Sequence, residues 1–195
     1  MAEETEFAMG ATASCSDGVC GEVSRIIVDP ATLVVTHLVI EPKHGHEPGR
    51  LVPLDLVDTT AGHIRLRCTL AEFDTLEPAE EVELVEGTSG LGVGGMAAPA
   101  GIPEAVPTVV EDVVPLGETD VARGEHVHAL DGDIGQVAGF LVDPGDHRVT
   151  HVLLREGHFW GRKEVAIPVS AVTGVENGIR LSMTKKQIED LPPAH

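Results

Sequence analysis

A chain of 195 residues with 42% hydrophobic side chains carries enough apolar surface to fold as one mid-sized unit or two small ones, which excludes a chain disordered throughout. Its 32 acidic against 13 basic side chains, a net charge of -19, would repel nucleic-acid phosphates and anionic membrane surfaces, so a protein partner is expected and a nucleic-acid one is not. No run reaches the roughly eighteen apolar residues of a membrane span. The acidic start Met1–Phe7 lacks a secretory signal's basic flank, and Cys15, Cys20 and Cys68 are an odd set too few for a disulfide framework. A soluble cytoplasmic protein without membrane insertion is the expectation.

The predicted elements follow a repeat. Asp17–His37 (DGVCGEVSRIIVDPATLVVTH) aligns without a gap on Asp131–His151 (DGDIGQVAGFLVDPGDHRVTH), an offset of 114 with 10 of 21 positions identical. After one inserted residue the match continues through Pro53 with Pro168, Val57 with Val172, Ile64–Leu66 with Ile179–Leu181, and Leu76, Pro78 and Ala79 with Leu191, Pro193 and Ala194. In the first copy, Asp17-Gly18 predicts a hairpin between Ala13–Cys15 and a Val/Ile-rich strand to Val28. Asp29-Pro30 ends that strand, Leu33–Ile40 begins another, Leu51-Val52 leads into Pro53, and a further pair brackets Ala61-Gly62. Each copy should close with a short helix, because Thr69-x-x-Glu72 and Thr184-x-x-Gln187 are capping boxes, with Pro78 and Pro192 as stops. Between the copies, TSGLGVGGMAAPAG (Thr88–Gly101) reads as a Gly/Ala/Pro linker, and Thr108–Val114 has enough Val to add a strand to the second copy.

The order Asp17-Gly18, Gly21-Glu22-Val23, Val28-Asp29-Pro30, Thr36-His37 and Val52-Pro53, repeated from Asp131 through Ile167-Pro168, resembles the PRC-barrel family. The resemblance implies a mainly all-β chain: two small PRC-like β-barrels, each closed by a short C-terminal helix, at 7–80 and 109–195, joined by a linker at 81–108. It also implies an adaptor role and supplies no shared catalytic residue set.

The repeat acts as an internal control on candidate sites. Cys15, Cys20 and Cys68 could pair or help hold a metal, yet their counterparts are Ala129, Ile134 and Met183, so they read as small buried hydrophobes. His44-Gly-His46-Glu47 is the densest cluster of metal-ligand types, but only His158 answers it, with Trp160 where a second His would fall, and no metal or other cofactor is assigned. His37 and His151 are equivalent and read as fixed by packing and hydrogen bonding. Gly90-x-Gly92-x-x-Gly95 matches a dinucleotide fingerprint as a string, but Pro99 and Pro103 deny it the helix such a site needs. No nucleophile elbow, phosphate loop or His-Glu-x-x-His motif occurs. Phe159 and Trp160, beside Arg162 and Lys163, stand in a loop between apolar strands of a chain with four Phe, one Trp and no Tyr. Trp160 either folds back over its own barrel or anchors a partner, and these four residues are the partner-binding candidates. The expected protein is therefore no enzyme but an adaptor or scaffold acting through a protein partner, with homo-oligomerisation open and a metal- or small-ligand sensor as the alternative.

Overall fold

Period-two apolar patterning broken by Gly, Pro and Asp turns makes this chain mainly β-strand, with two short helices. The computed structural model describes residues 4–43, 48–60, 63–84, 108–156 and 164–194. In chain order the strands of the first half are β1 (Thr5–Ala8), β2 (Thr12–Cys15), β3 (Gly18–Asp29), β4 (Val34–Glu41), β5 (Arg50–Pro53), β6 (Val57–Thr60) and β7 (His63–Leu66), followed by helix α1 (Leu70–Phe73) and β8 (Glu80–Leu84). The chain continues with β9 (Thr108–Asp112), β10 (Thr119–Ala122), β11 (His126–Ala129), β12 (Gly132–Val142), β13 (Val149–Glu156), β14 (Glu164–Pro168), β15 (Val172–Gly174), β16 (Ile179–Leu181) and helix α2 (Lys185–Glu189).

The local signals act as read. Both capping boxes form, with Thr69 accepting from the Glu72 amide and Thr184 from the Gln187 amide while each N3 side chain returns to the cap. The turn aspartates do more than turn: Asp17 Oδ1 accepts from Leu70 N at 2.8 Å and Asp131 Oδ1 from Lys185 N at 2.9 Å, so each hairpin is pinned to the first turn of its closing helix. Asp29 Oδ1 accepts from the amides of Ala31 and Thr32, at 2.8 and 3.3 Å, and these bonds hold its carboxyl below the usual range. The motif glycine of each copy has a steric reason. A Cβ on Gly21 would lie 2.1 Å from the Glu41 carbonyl oxygen, and one on Gly135 would lie 2.4 Å from that of Arg155, because β3 on β4 and β12 on β13 approach closely beside bulges.

Two seven-stranded sheets result, with matching strand order. One runs β5-β4-β3-β2-β7-β6 and the other β14-β13-β12-β11-β16-β15, and in each the seventh strand comes from the opposite half. Strand β1 pairs antiparallel with β12 (Thr5 opposite Val142, Phe7 opposite Phe140), and β10 pairs with β3 (Thr119 opposite Val28, Val121 opposite Ile26). These registers are the same under the 114-residue offset, so the halves trade equivalent arms. The division at 7–80 and 109–195 expected from the repeat is thus crossed in both directions. A second contact joins the halves where β4 and β13 begin: Val35 N donates to His147 O at 2.9 Å and Val149 N to Leu33 O at 2.8 Å. Leu33 and His147 both hold left-handed backbone, at φ 55° and 58°, as the turn closes against its counterpart.

Packing follows this exchange. One buried cluster includes Phe7, Ile26, Val28 and Leu38 together with Val121, Phe140, Val142 and Leu154, so apolar burial is continuous through both halves. A smaller cluster on the other face of the first sheet gathers Ile27, Val39, Leu51 and Ala79, with Val114 packed on it. This corrects the expectation for Thr108–Val114. Strand β9 pairs with β8, and Val113 N donates to Ala79 O at 2.9 Å, so the segment attaches to the first half because that half offers the uncovered apolar face. The expected linker, 81–108, accordingly begins and ends in paired strand; its interior at 85–107 lies outside the described residues.

Candidate interaction site at the exchanged joint

Each arm leaves its own half at a glycine, Gly10 (φ 79°) or Gly124 (φ 85°), where left-handed backbone lets the chain reverse without a Cβ penalty. The crossing is abrupt. Met9 N donates to Ala138 O in the second half at 2.7 Å, whereas the next amide, Gly10 N, donates to Val23 O in the first half at 2.7 Å. Arg123 N repeats the first bond on Ser24 O at 2.9 Å.

A polar latch marks the outer end of each arm. Thr36 Oγ1 donates to Glu118 Oε2 at 2.6 Å, and His37 Nδ1 lies 3.0 Å from the Thr36 hydroxyl and 3.7 Å from Glu118. In the other half His151 Nδ1 lies 3.1 Å from the Thr150 hydroxyl and 3.5 Å from Glu4 Oε1. The Thr-His pairs therefore sit half-buried under the incoming glutamates, which gives the paired histidines a place in the joint that their position in an apolar strand did not indicate. Glu4 and Glu118 were missed as functional residues although a signal existed. ETEFAMG (4–10) and ETDVARG (118–124) continue the repeat upstream at the unchanged offset.

The first joint has an added clamp. Arg25 is 7% exposed, and its guanidinium meets Glu80 at 3.3 Å, Asp120 at 3.9 Å and, in its shortest contact, Asp112. One buried cation thereby ties β3 to the arm β10 and to the β8–β9 pair. Its counterpart in the second half is Gly139, where a Cβ would stand 2.3 Å from the Phe7 carbonyl oxygen. Beside β1 a cleft of about 400 Å³ opens between the halves, lined by Thr5 and Phe7, by Asp58 and Arg67, and by Asp143 and His147. With carboxylates, a guanidinium and an imidazole around it, the cleft suits polar groups better than an apolar ligand.

The remaining candidates behave differently. Cys15, Cys20 and Cys68 come together, with Cys15 Sγ 3.9 Å from Cys68 Sγ, and all three are buried free thiols. Burial pushes the Cys15 thiol far above its ordinary range and raises that of Cys20, which keeps them protonated and unreactive. His126 and His128 stack at 6.4 Å between ring centroids beside Asp133, which contacts His128 Nδ1. Among the described residues no group of three or more His, Cys, Asp or Glu side chains is placed to hold a metal. The partner-binding candidates Phe159, Trp160, Arg162 and Lys163 lie outside the described residues, between the end of β13 and the start of β14; His44, His46, Glu47 and the Gly90–Gly95 string lie outside them as well.

The class these observations define is a mainly β chain of two matched sheets interlocked by traded strands. Within it, residues 129–188 match the family model described as the PRC-barrel domain, which supports a β-barrel fold for that part of the second half. A search of curated proteins finds no match. Among the described residues no helix is long and apolar enough to cross a membrane.

Proposed function

We propose that the chain is a non-catalytic cytoplasmic adaptor or scaffold, built of two PRC-barrel copies, that works by binding a protein partner. The observation that carries this reading is the reciprocal strand exchange. It commits the apolar strands, the buried Arg25 and the half-buried Glu118 and Thr36 to holding two unlike surfaces together. The PRC-barrel match at 129–188, a domain often involved in protein interactions, supports the same reading, and the matching strand order of the first sheet supports extending it to the first copy. The proposal assigns the chain no catalytic residue and no cofactor.

Partner contact is proposed at Phe159, Trp160, Arg162 and Lys163, where two aromatics and two cations interrupt an acidic molecule and the first copy has only Gly45-His46. Trp160→Ala is expected to weaken capture of the partner at least about tenfold, about 1.4 kcal/mol, with an unchanged thermal midpoint. A fall in that midpoint would assign Trp160 to the core, and unchanged capture would remove the loop from the proposal. The competing reading, a metal sensor at His44 and His46, is separated by chelation. We expect a strong chelator to move the midpoint by less than about a degree, whereas loss of a structural metal would lower it by far more.

A further inference from the structure

The outer edges of the two arms differ. Among the described residues β1 pairs with β12 alone and β10 with β3 alone. Because Met9 N donates to Ala138 O and Arg123 N to Ser24 O, the antiparallel alternation turns the amides and carbonyls of Phe7 and Val121 towards the partner strand. Those of Glu6, Ala8, Asp120 and Ala122 face away from it. The Ala8 and Ala122 carbonyls are taken within their own turns, accepting from Ala11 N at 3.1 Å and from Glu125 N at 3.2 Å. The amides are treated differently. Ala122 N donates to Glu125 Oε2 at 2.9 Å, so a side chain closes that end of the second arm's edge. At the 114-residue offset Glu125 is answered by Ala11, which has no carboxylate to offer. The Glu6 N–H, the Glu6 C=O and the Ala8 N–H therefore form a run of ladder groups without a partner among the described residues.

We propose that the outer edge of β1 is a docking edge for an extended segment of a protein partner, which adds to it as a strand and places a lysine or arginine beside Glu6. The proposal rests on the reading that the chain binds a protein partner, but it does not use the loop at 159–163. Main-chain bonds to Glu6 and Ala8 would set the register of the added strand, as in other cases of strand addition to an open sheet edge. Charge sets the choice of segment. Glu6 is exposed, has no ion pair among the described residues and belongs to a chain of net charge -19, so a cation opposite it gains a favourable cross-strand pair. The same charge argues against a second copy as the occupant. Antiparallel pairing of β1 with another β1 would bring the Glu4 and Glu6 carboxylates of one copy against those of the other.

The test titrates the full-length protein with a short, end-blocked peptide of alternating lysine and threonine, followed by amide NMR and hydrogen exchange. We expect saturable shifts at Glu6 and Ala8, with exchange there slowed at least about tenfold at saturation. The matching peptide of glutamate and threonine should bind at least about tenfold more weakly. Glu6→Lys, at an exposed position, should reverse that preference. Ala11→Glu gives the first turn the carboxylate that Glu125 gives the second, so it should cap the Ala8 amide and weaken the lysine peptide at least about tenfold. Trp160→Ala should leave this docking unchanged, which tells loss of the edge from loss of the loop. Absence of shifts at Glu6 and Ala8 would overturn the docking edge and leave the loop proposal standing. Unchanged binding in a natively folded Ala11→Glu would overturn the part given to the open amide, and an unchanged preference in Glu6→Lys would overturn the assigned chemistry. Slow exchange at Glu6 and Ala8 in the free protein would show the edge filled by the chain itself, and protection that grows with protein concentration would show a second copy there. Either result would overturn the basic partner.

Discussion

Replacing Phe7 by alanine should remove about 3–5 kcal/mol of stability, a large share of the roughly 5–15 kcal/mol typical of a folded protein. The ring is 3% exposed and faces Phe140, itself 2% exposed, and both belong to the cluster that continues through the two halves. Truncation deletes apolar contacts on both sides of the joint, and the surrounding strands are too bulged and crowded to collapse into the space. The location of the damage is the sharper part of the prediction. Although Phe7 belongs to the first copy by sequence, amide protection should fall in the second sheet, at Gly139–Val142 along β12. Chemical denaturation would give the magnitude from the midpoint at unchanged slope, and residue-resolved hydrogen exchange would give the place. A loss below about 1 kcal/mol, or weakened protection confined to β3, would mean that the first arm docks on its own half.

Arg25→Ala should cost about 1–3 kcal/mol. Removing one partner of a buried ion pair costs more when the orphaned charge stays buried, but here the three carboxylates keep access to water. Glu80 and Asp120 side chains are 31% exposed and Asp112 is 57% exposed, so the upper range for a fully buried pair does not apply. Arg25→Met, which keeps most of the aliphatic stem without the charge, should recover part of the loss by packing. Because Arg25 joins four strands, the change should also loosen β8–β9 and β10 together, seen as faster exchange at Val113 and Arg123, whose amides donate to Ala79 and Ser24. Stability within about 0.5 kcal/mol of the parent protein would rule out the clamp as a significant tie.

The sequence made strand positions, hairpins and both helix caps legible, because each depends on residues within a few positions of one another. Asp17 with Gly18 and Thr69 with Glu72 carry their chemistry locally. The exchange was harder to read for a specific reason. Glu4–Gly10 and Glu118–Gly124 are equivalent in the repeat, so docking each arm at home or on the other half satisfies the same apolar pattern. Arg25 was hidden for a related reason: its carboxylate partners lie 55 or more residues away, at Glu80, Asp112 and Asp120, and its counterpart is a glycine. Phe159 and Trp160 stand out by composition alone, since aromatic scarcity singles out residues without fixing where they point.

The traded arms also set a timetable for synthesis. The strand that completes the first sheet enters through Val121, which leaves the ribosome roughly 95 residues after its partner Ile26. At elongation rates of about 5–20 residues per second, the edge of β3 waits about 5–20 s with Ile26, Ile27 and Val28 uncovered. An apolar, β-branched edge held open for that long is a template for pairing between nascent chains. The first sheet should therefore depend on holding chaperones during translation, while the arm of the second, made first, can dock as soon as β12 emerges.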